Sequence, residues 1–559
     1  MRKLPLVIGM GAIAACSVMP LTVDTTAKAP LLDGFGKATL RASSVNESAR
    51  QLFAQGMAQA YGFNEAEAIR SFKAALAKDP GCAMCAWGVA WQLGPNINNT
   101  SRSNEMEAKR YVDYAVRHSK ESSPREQALI KSLALRYGHN SAQSIAPPPG
   151  EVCTTKSDES EPVNQLDAAY ADYLRDLAAN HPNDPDLLSL YAEAEMIITR
   201  GARGAWWDPQ TGKPAGRIGE LATQLEKALA VHPDHTGLNH YMVHAADSVH
   251  SARRAEAAAD RLAKLAPKSP HLLHMPSHTY AHLGRFADAT RTNEAAVAAD
   301  VAMIEELKKQ GFSNTKDWRG HNLHFQWYSA LMEGRSELAL KTSRIQAERS
   351  QGAHTYHEYV RSLPILTLLH LRKWDAVLAE AEPKSKDGIE QAFSEMARGI
   401  AYARLGKLAE AKAAHERIQP LVAKLTADKT STGFAAKMTR SLGGSAGEQL
   451  AAEIAFQEGR IDAAIALQEQ SIKSALDAER TEPPSLASGP RLRLGEMQLR
   501  AKRYADAEKT FRTDLAERPK NGWALDGLQK ALAAQGKAAE AATAQRELAL
   551  SWAAAEKGA

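Results

Sequence analysis

Apolar residues along this chain return every three or four positions, with charged and amide residues between them. Stretches such as RRAEAAADRLAKLA (253–266) and KALAAQGKAAEAATAQRELAL (530–550) show the pattern. That spacing puts one apolar stripe on a helix, where residues three and four apart share a face. Alanine is the commonest filler; it is the best helix former and lets helices approach closely. Long alternating runs of β-branched residues, the mark of strands, do not occur, so the pattern predicts an all-α fold.

A seven-residue phrase punctuates the helices. It reads GFNEAEA (62–68), LGRFADA (283–289), EGRSELA (333–339), LGKLAEA (405–411), EGRIDAA (458–464), AKRYADA (501–507) and QGKAAEA (535–541). Glycine permits the turn between two helices, the following aromatic or aliphatic residue pins that turn, and the closing alanine marks where two helices nearly touch. Proline often ends the second helix, as at Pro80, Pro267 and Pro519. Over 49–82 the residues Gly56, Ala68, Phe72, Ala75 and Pro80 fall on the small–small–aromatic–small–proline pattern of the tetratricopeptide repeat, a 34-residue helical hairpin. Tyr280, Gly284, Phe286, Ala289 and Ala296 repeat it, as do Leu494, Gly495, Tyr504, Ala507, Phe511 and Pro519. The chain resembles that family over most of residues 46–555. The resemblance implies a right-handed superhelical α-solenoid with a concave groove able to take a protein or peptide partner, and it implies no activity.

Spacing between phrases is uneven, and the surplus falls into two interruptions, 138–162 and 200–216. The organisation reads as a leader over 1–15, a flexible tether over 16–45, N-terminal helical repeats over 46–137, a loop insertion over 138–162, and a repeat solenoid over 163–555 with a histidine-rich centre at 232–370. The leader has a short basic start, a short apolar run and the sequence IAAC ending at Cys16, which resembles a bacterial lipobox. The expectation is export with lipid on Cys16, which places the protein on the periplasmic side of the outer membrane; cleavage elsewhere would leave it soluble in the periplasm. Membrane contact is then through the lipid alone.

Charge narrows the partners. The 559 residues carry 69 Lys and Arg against 65 Asp and Glu, a net charge of +4. That balance gives none of the concentrated basic surface expected of a nucleic-acid binder. Of the four cysteines, Cys82 and Cys85 form a C-x-x-C pair. Without a second pair or a βαβ setting, that spacing reads as a local disulfide in an exported protein. Cys153 is left over, in a polar, proline-rich loop. No nucleotide-binding glycine loop or G-x-S-x-G elbow is present, and no organic cofactor is expected.

Histidine carries the candidate chemistry. Nine of the 18 histidines lie in HPDHTGLNHYMVHAADSVH (232–250) and HLLHMPSHTYAH (271–282). His240 and His244 take the fifth and ninth positions of one repeat's first helix; His274 and His278 take the same positions 34 residues later. His324 takes the fifth position again, with Tyr328 at the ninth. Residues i and i+4 share a helix face, and packed helices lie about 8–10 Å apart. Two such pairs are therefore expected to offer four imidazoles to one divalent transition metal (Zn, Cu or Fe) on the concave face, with His324 as alternate ligand. Zinc peptidases with this spacing carry Glu after the first His; here Tyr241 follows His240, which excludes that chemistry. Asp247, three residues after His244, and Asp234 are candidate carboxylate ligands or hydrogen-bond partners of a ligand. Tyr241, His321 and Tyr328 are further candidates for the groove around the metal. The segments DPGCAMCAWGVAWQLGPNIN, HPDHTGLNHYMVHAADS, SPHLLHMPSHTYAHLGRFADA and HNLHFQWYSALMEGRS together resemble exported bacterial tetratricopeptide proteins with a histidine-rich centre. Three readings remain open at this level: a cell-envelope scaffold holding a metal, a metal-free interaction scaffold, and a metalloenzyme using the same histidines.

Overall fold

A computed structural model describes residues 21–139, 164–199, 205–313, 315 and 317–556. The leader, Cys16, Cys153 and nearly all of the 138–162 insertion lie outside them. Among the described residues the architecture is all-α, with two isolated β-bridges and no strand. Helices pair into antiparallel hairpins, beginning with Glu47–Tyr61 and Glu65–Lys78 and ending with Gly522–Ala534 and Ala538–Ser551. Each hairpin stacks on the next, as expected of units that cannot bury their apolar faces alone.

The phrase seen in sequence marks the hairpin turns. Its second position lies in the left-handed region at Gly284, Gly334, Gly406, Gly459 and Gly536. Its closing alanines, Ala68, Ala289, Ala339, Ala411, Ala464 and Ala507, are fully buried. Gly284 is also a point of close approach, since a Cβ there would collide with the Pro519 carbonyl. Cys82 and Cys85 are joined by a disulfide at the start of helix Ala83–Gln92.

The stack does not stay open. Both ends return to the middle. At the C-terminal end, the indoles of Trp523 and Trp552 donate to the carbonyls of Leu331 and Met332. At the N-terminal end, the residues expected as a tether are, from 21 onward, part of the packed molecule. Phe35, Ala38, Leu40 and Ala42 are buried. The backbone of Leu31 exchanges two hydrogen bonds with the Gln310 side chain, Lys37 N–H donates to Thr236 Oγ1, and Ser43 N–H donates to Glu126 Oε1. The apolar residues and backbone groups of this short segment find partners on the helices it crosses, which is why it is ordered without being helical.

Leu40 has no exposed surface, so Leu40→Ala is expected to destabilise the fold by about 2–5 kcal/mol through lost burial and the cavity left behind. Urea denaturation followed by circular dichroism measures this; an unchanged midpoint would restore the tether reading for this segment.

Candidate metal centre

The histidine helices are short and tightly capped. Helix Thr236–Ala245 starts at His235, whose Nδ1 accepts from Leu238 N–H. The other ring nitrogen of His235 donates to buried Asp186, which also accepts from Tyr61. The next repeat begins with Pro270–His274, capped by Ser269, and continues through Pro276–His282. His240, His244, His274 and His278 therefore stand where the sequence spacing puts them, but they are interior: His240 and His274 have no exposed surface. They do not line an open groove, because the first hairpin covers one pair and helix Arg319–Met332 covers the other.

Nor do the four form one group. His240 and His244 join His271, while His274 and His278 join His321, each trio with its ligand atoms mutually within 4.8 Å. In the first triad Nε2 of His240 is 3.1 Å from Nε2 of His271 and 3.1 Å from Nε2 of His244. In the second, Nε2 of His274 is 3.0 Å from Nε2 of His278. Adjacent nitrogens on an ion with bonds of about 2.0–2.1 Å would be separated by about 3 Å. The triads adjoin, with the rings of His271 and His274 centred 6.2 Å apart.

Hydrogen bonds at the far ring nitrogens fix which way the lone pairs point. His240 Nδ1–H donates to the Tyr61 carbonyl at 2.7 Å. Asn293 donates its own amide to Ala289, which leaves its oxygen to accept from His274 Nδ1–H at 2.7 Å. His278 Nδ1–H lies 3.2 Å from an Asp247 carboxylate oxygen, and the other oxygen accepts from His282. His274 and His278 thus direct two Nε2 lone pairs at each other across 3.0 Å. Such a contact requires a cation between the two nitrogens, either a proton or a metal ion.

Burial keeps His240, His244 and His274 neutral. Desolvation pushes His240 down to about 3, and it holds His244 and His274 well below the usual range, with the charge of neighbouring histidines adding to it. For His278 burial works the same way, yet the Asp247 carboxylate outweighs it and raises the pKa. Asp247 is correspondingly held well below the ordinary carboxylate range by His278 and His282, against its own burial. Asp247 thus bonds two imidazoles, and with His278 and Glu482 it also forms a third group of possible ligand atoms.

Each triad carries one phenylalanine. The Phe63 ring lies 4.5, 5.8 and 5.1 Å from the rings of His240, His244 and His271. Phe325 lies 4.8, 4.5 and 5.2 Å from His274, His278 and His321. Phe63 occupies the turn position that glycine takes in later repeats, at φ 50°, a conformation costing a non-glycine residue about 1–2 kcal/mol. The strain sits where the ring reaches the triad. Trp318 packs on His271 at 4.5 Å and Trp206 meets His244 edge-on at 6.0 Å.

Several candidates fall elsewhere. His324 belongs to neither triad: the Tyr359 hydroxyl donates to the Ser485 carbonyl and so accepts from His324 Nε2–H, which engages the nitrogen a metal would need. Tyr328 packs against Phe286, away from both triads. Tyr241 stacks on His240 at 5.4 Å and supports that ring from behind. Repeat register alone leaves His271 a flanking residue and His321 a groove residue. A signal for both exists, because each stands three residues before a fifth-position histidine, in HLLH (271–274) and HNLH (321–324). Each triad takes two ligands from one repeat and the third from the next.

No family model matches the sequence, and no curated relative matches it. Among solved structures the chain is similar to the anaphase-promoting-complex tetramer Cut9–Hcn1 (14% identity, 89% of this chain and 79% of that one, TM-score 0.30). It is similar to the P58(IPK) TPR domain (12%, 81% and 99%, TM-score 0.21) and to yeast Tom70 (11%, 90% and 97%, TM-score 0.25). The triads rest on this chain's own residues.

A buried titrating group lies at the start of helix Arg319–Met332. Buried Asp300 accepts from Trp318 N–H and from the Asn322 amide. Burial pushes its pKa up to about 7, only partly offset by the Trp318 bond. Because the folded-state value exceeds the unfolded one, this group's contribution to stability is full below about pH 4 and is lost as pH rises through about 7. A carboxamide at this position cannot ionise. Asp300→Asn is thus expected to gain on wild type between pH 5 and pH 8 by an amount on the order of a few kcal/mol. Denaturation midpoints of both proteins at the two pH values test this; parallel changes would refute it.

Proposed function

We propose that the chain is a helical-repeat scaffold that holds a pair of transition-metal ions, one at His240, His244 and His271 and one at His274, His278 and His321. The opposed Nε2 lone pairs of His274 and His278 carry the reading. Three further features support it: burial that keeps His240, His244 and His274 neutral, outer hydrogen bonds on His240 and His274 that fix their tautomers, and nitrogen separations matching those of ligands on one ion. Imidazole donors suit Zn, Cu, Fe and Ni. Export with a lipidated Cys16 remains part of this proposal; a disulfide between Cys82 and Cys85 suits an oxidising compartment.

The protein reconstituted with a divalent metal and dialysed is expected to retain two ions per chain by elemental analysis, with metal–nitrogen distances of about 2.0–2.1 Å by X-ray absorption if the metal is zinc. His271→Ala and His321→Ala should each retain about one ion, and the double variant none. Wild type that retains no metal would return the protein to a plain interaction scaffold.

A further inference from the structure

Away from the histidine triads, the first helices of five successive hairpins share the lining of a cavity of about 230 Å³. They are Leu363–His370, Ile389–Arg404, Phe434–Gln457, Gly489–Arg500 and Gly522–Ala534. The charges along this lining do not balance. Glu496 pairs with Arg404 at 2.7 Å and with Arg372 at 3.3 Å, and Glu453 pairs with Arg500 at 3.0 Å. Asp526 is taken by Lys530 at 2.6 Å. One lining cation is left over. Arg493 gives its Nε–H to the neutral Gln449 side chain at 2.7 Å. Among the described residues it forms no ion pair, and its two terminal nitrogens meet no acceptor. Burial pushes its pKa down to about 10 against the pull of Glu496 and Glu453. The guanidinium is therefore charged at neutral pH, and its charge is only partly compensated.

We propose that this cavity is a binding site for a small monocarboxylic acid with a ring-sized apolar body, its carboxylate held by Arg493. A guanidinium matches a carboxylate with two parallel hydrogen bonds, and the terminal nitrogens of Arg493 are the donors left for them. A single negative charge fits better than a double one, because Glu453 and Glu496 also border the space. Much of the remaining wall is apolar, with Leu369, Ile400, Leu492, Leu499 and Phe511. Trp523 adds an indole whose N–H is already engaged by the Leu331 carbonyl. His370 stands edge-on to that indole, with ring centroids 4.9 Å apart, and burial holds it neutral by pushing its pKa down to about 3. It therefore adds no second charge for the acid to meet. Pockets for drug-sized ligands run to roughly 300–1,000 Å³, so this smaller cavity suits a compact acid rather than a length of peptide. The lining reaches the surface at Arg372 and Lys530, both about half exposed.

The test uses the full chain with benzoate as the probe, followed by calorimetry and by tryptophan fluorescence. The expected results are one benzoate per chain and a change in emission, since Trp374 and Trp523 line the site. Benzamide, which has the same shape without the charge, should bind about ten- to a hundredfold more weakly. Arg493→Gln should lose benzoate affinity by a similar factor while its benzamide affinity and melting temperature stay close to wild type. Arg493→Lys, which keeps the charge but not the fork, should fall between the two. Equal affinity of the wild type for benzoate and benzamide would overturn the proposal whatever the variants do. So would full benzoate affinity in a folded Arg493→Gln, or no saturable benzoate binding at millimolar concentration. A short peptide ending in phenylalanine that displaces benzoate and binds more tightly would overturn the small-acid assignment in favour of a chain terminus. None of these outcomes depends on the metal content of the triads.

Discussion

Ala259, Ala289 and Ala339 have no surface left to solvent, because their short side chains let the helices that carry them pack closely on their neighbours. That close approach is what places side chains one repeat apart into each other's reach. Without it the 34-residue recurrence of His240 and His244 at His274 and His278 would be a periodicity on a surface. With it, the third nitrogen of each triad is supplied by the following hairpin. Short side chains at the hairpin contacts and long polar ones at the first-helix positions are two halves of one arrangement.

The fold was legible because its signals are local. Helical spacing, the turn phrase and the closing alanine each act within one hairpin, and stacking follows from their repetition. The pairs His240–His244 and His274–His278 were legible for the same reason. Their partition into two triads was not, since it depends on which neighbour each helix faces. Phe63 was invisible as a site residue: it lies 177 residues before His240, in what reads as an ordinary turn. The segment following residue 21 looked like a tether because its few apolar positions belong to no helix, and only the surfaces of other repeats explain their burial. His324 followed the register faithfully and still lost its role, because Tyr359 engages its Nε2.

Electrostatics divides the labour within the centre. Desolvation lowers the pKa of His240, His244 and His274, which keeps their lone pairs available. His278 differs from His274, since the Asp247 carboxylate raises its pKa while burial and neighbouring histidines lower that of His274. Of the two rings it is therefore the one better able to hold a proton when no metal is bound. Such a proton would bridge the same two nitrogens that a metal would, so the triad has a compact state on either side of metal binding.

The return of both ends of the described helical stack to the middle changes what kind of object this repeat protein is. An open array behaves as a one-dimensional lattice in which each unit feels only its neighbours, so the ends fray and the stability is nearly a sum over units. Here Leu31 is tied to Gln310, Tyr61 to His240, and Trp552 to Met332. These contacts close loops of hundreds of residues, and a lattice with such long bonds loses its free ends. Unfolding of the terminal hairpins then exposes the middle as well, and the centre's geometry becomes a property of the whole chain rather than of the repeats that carry the histidines.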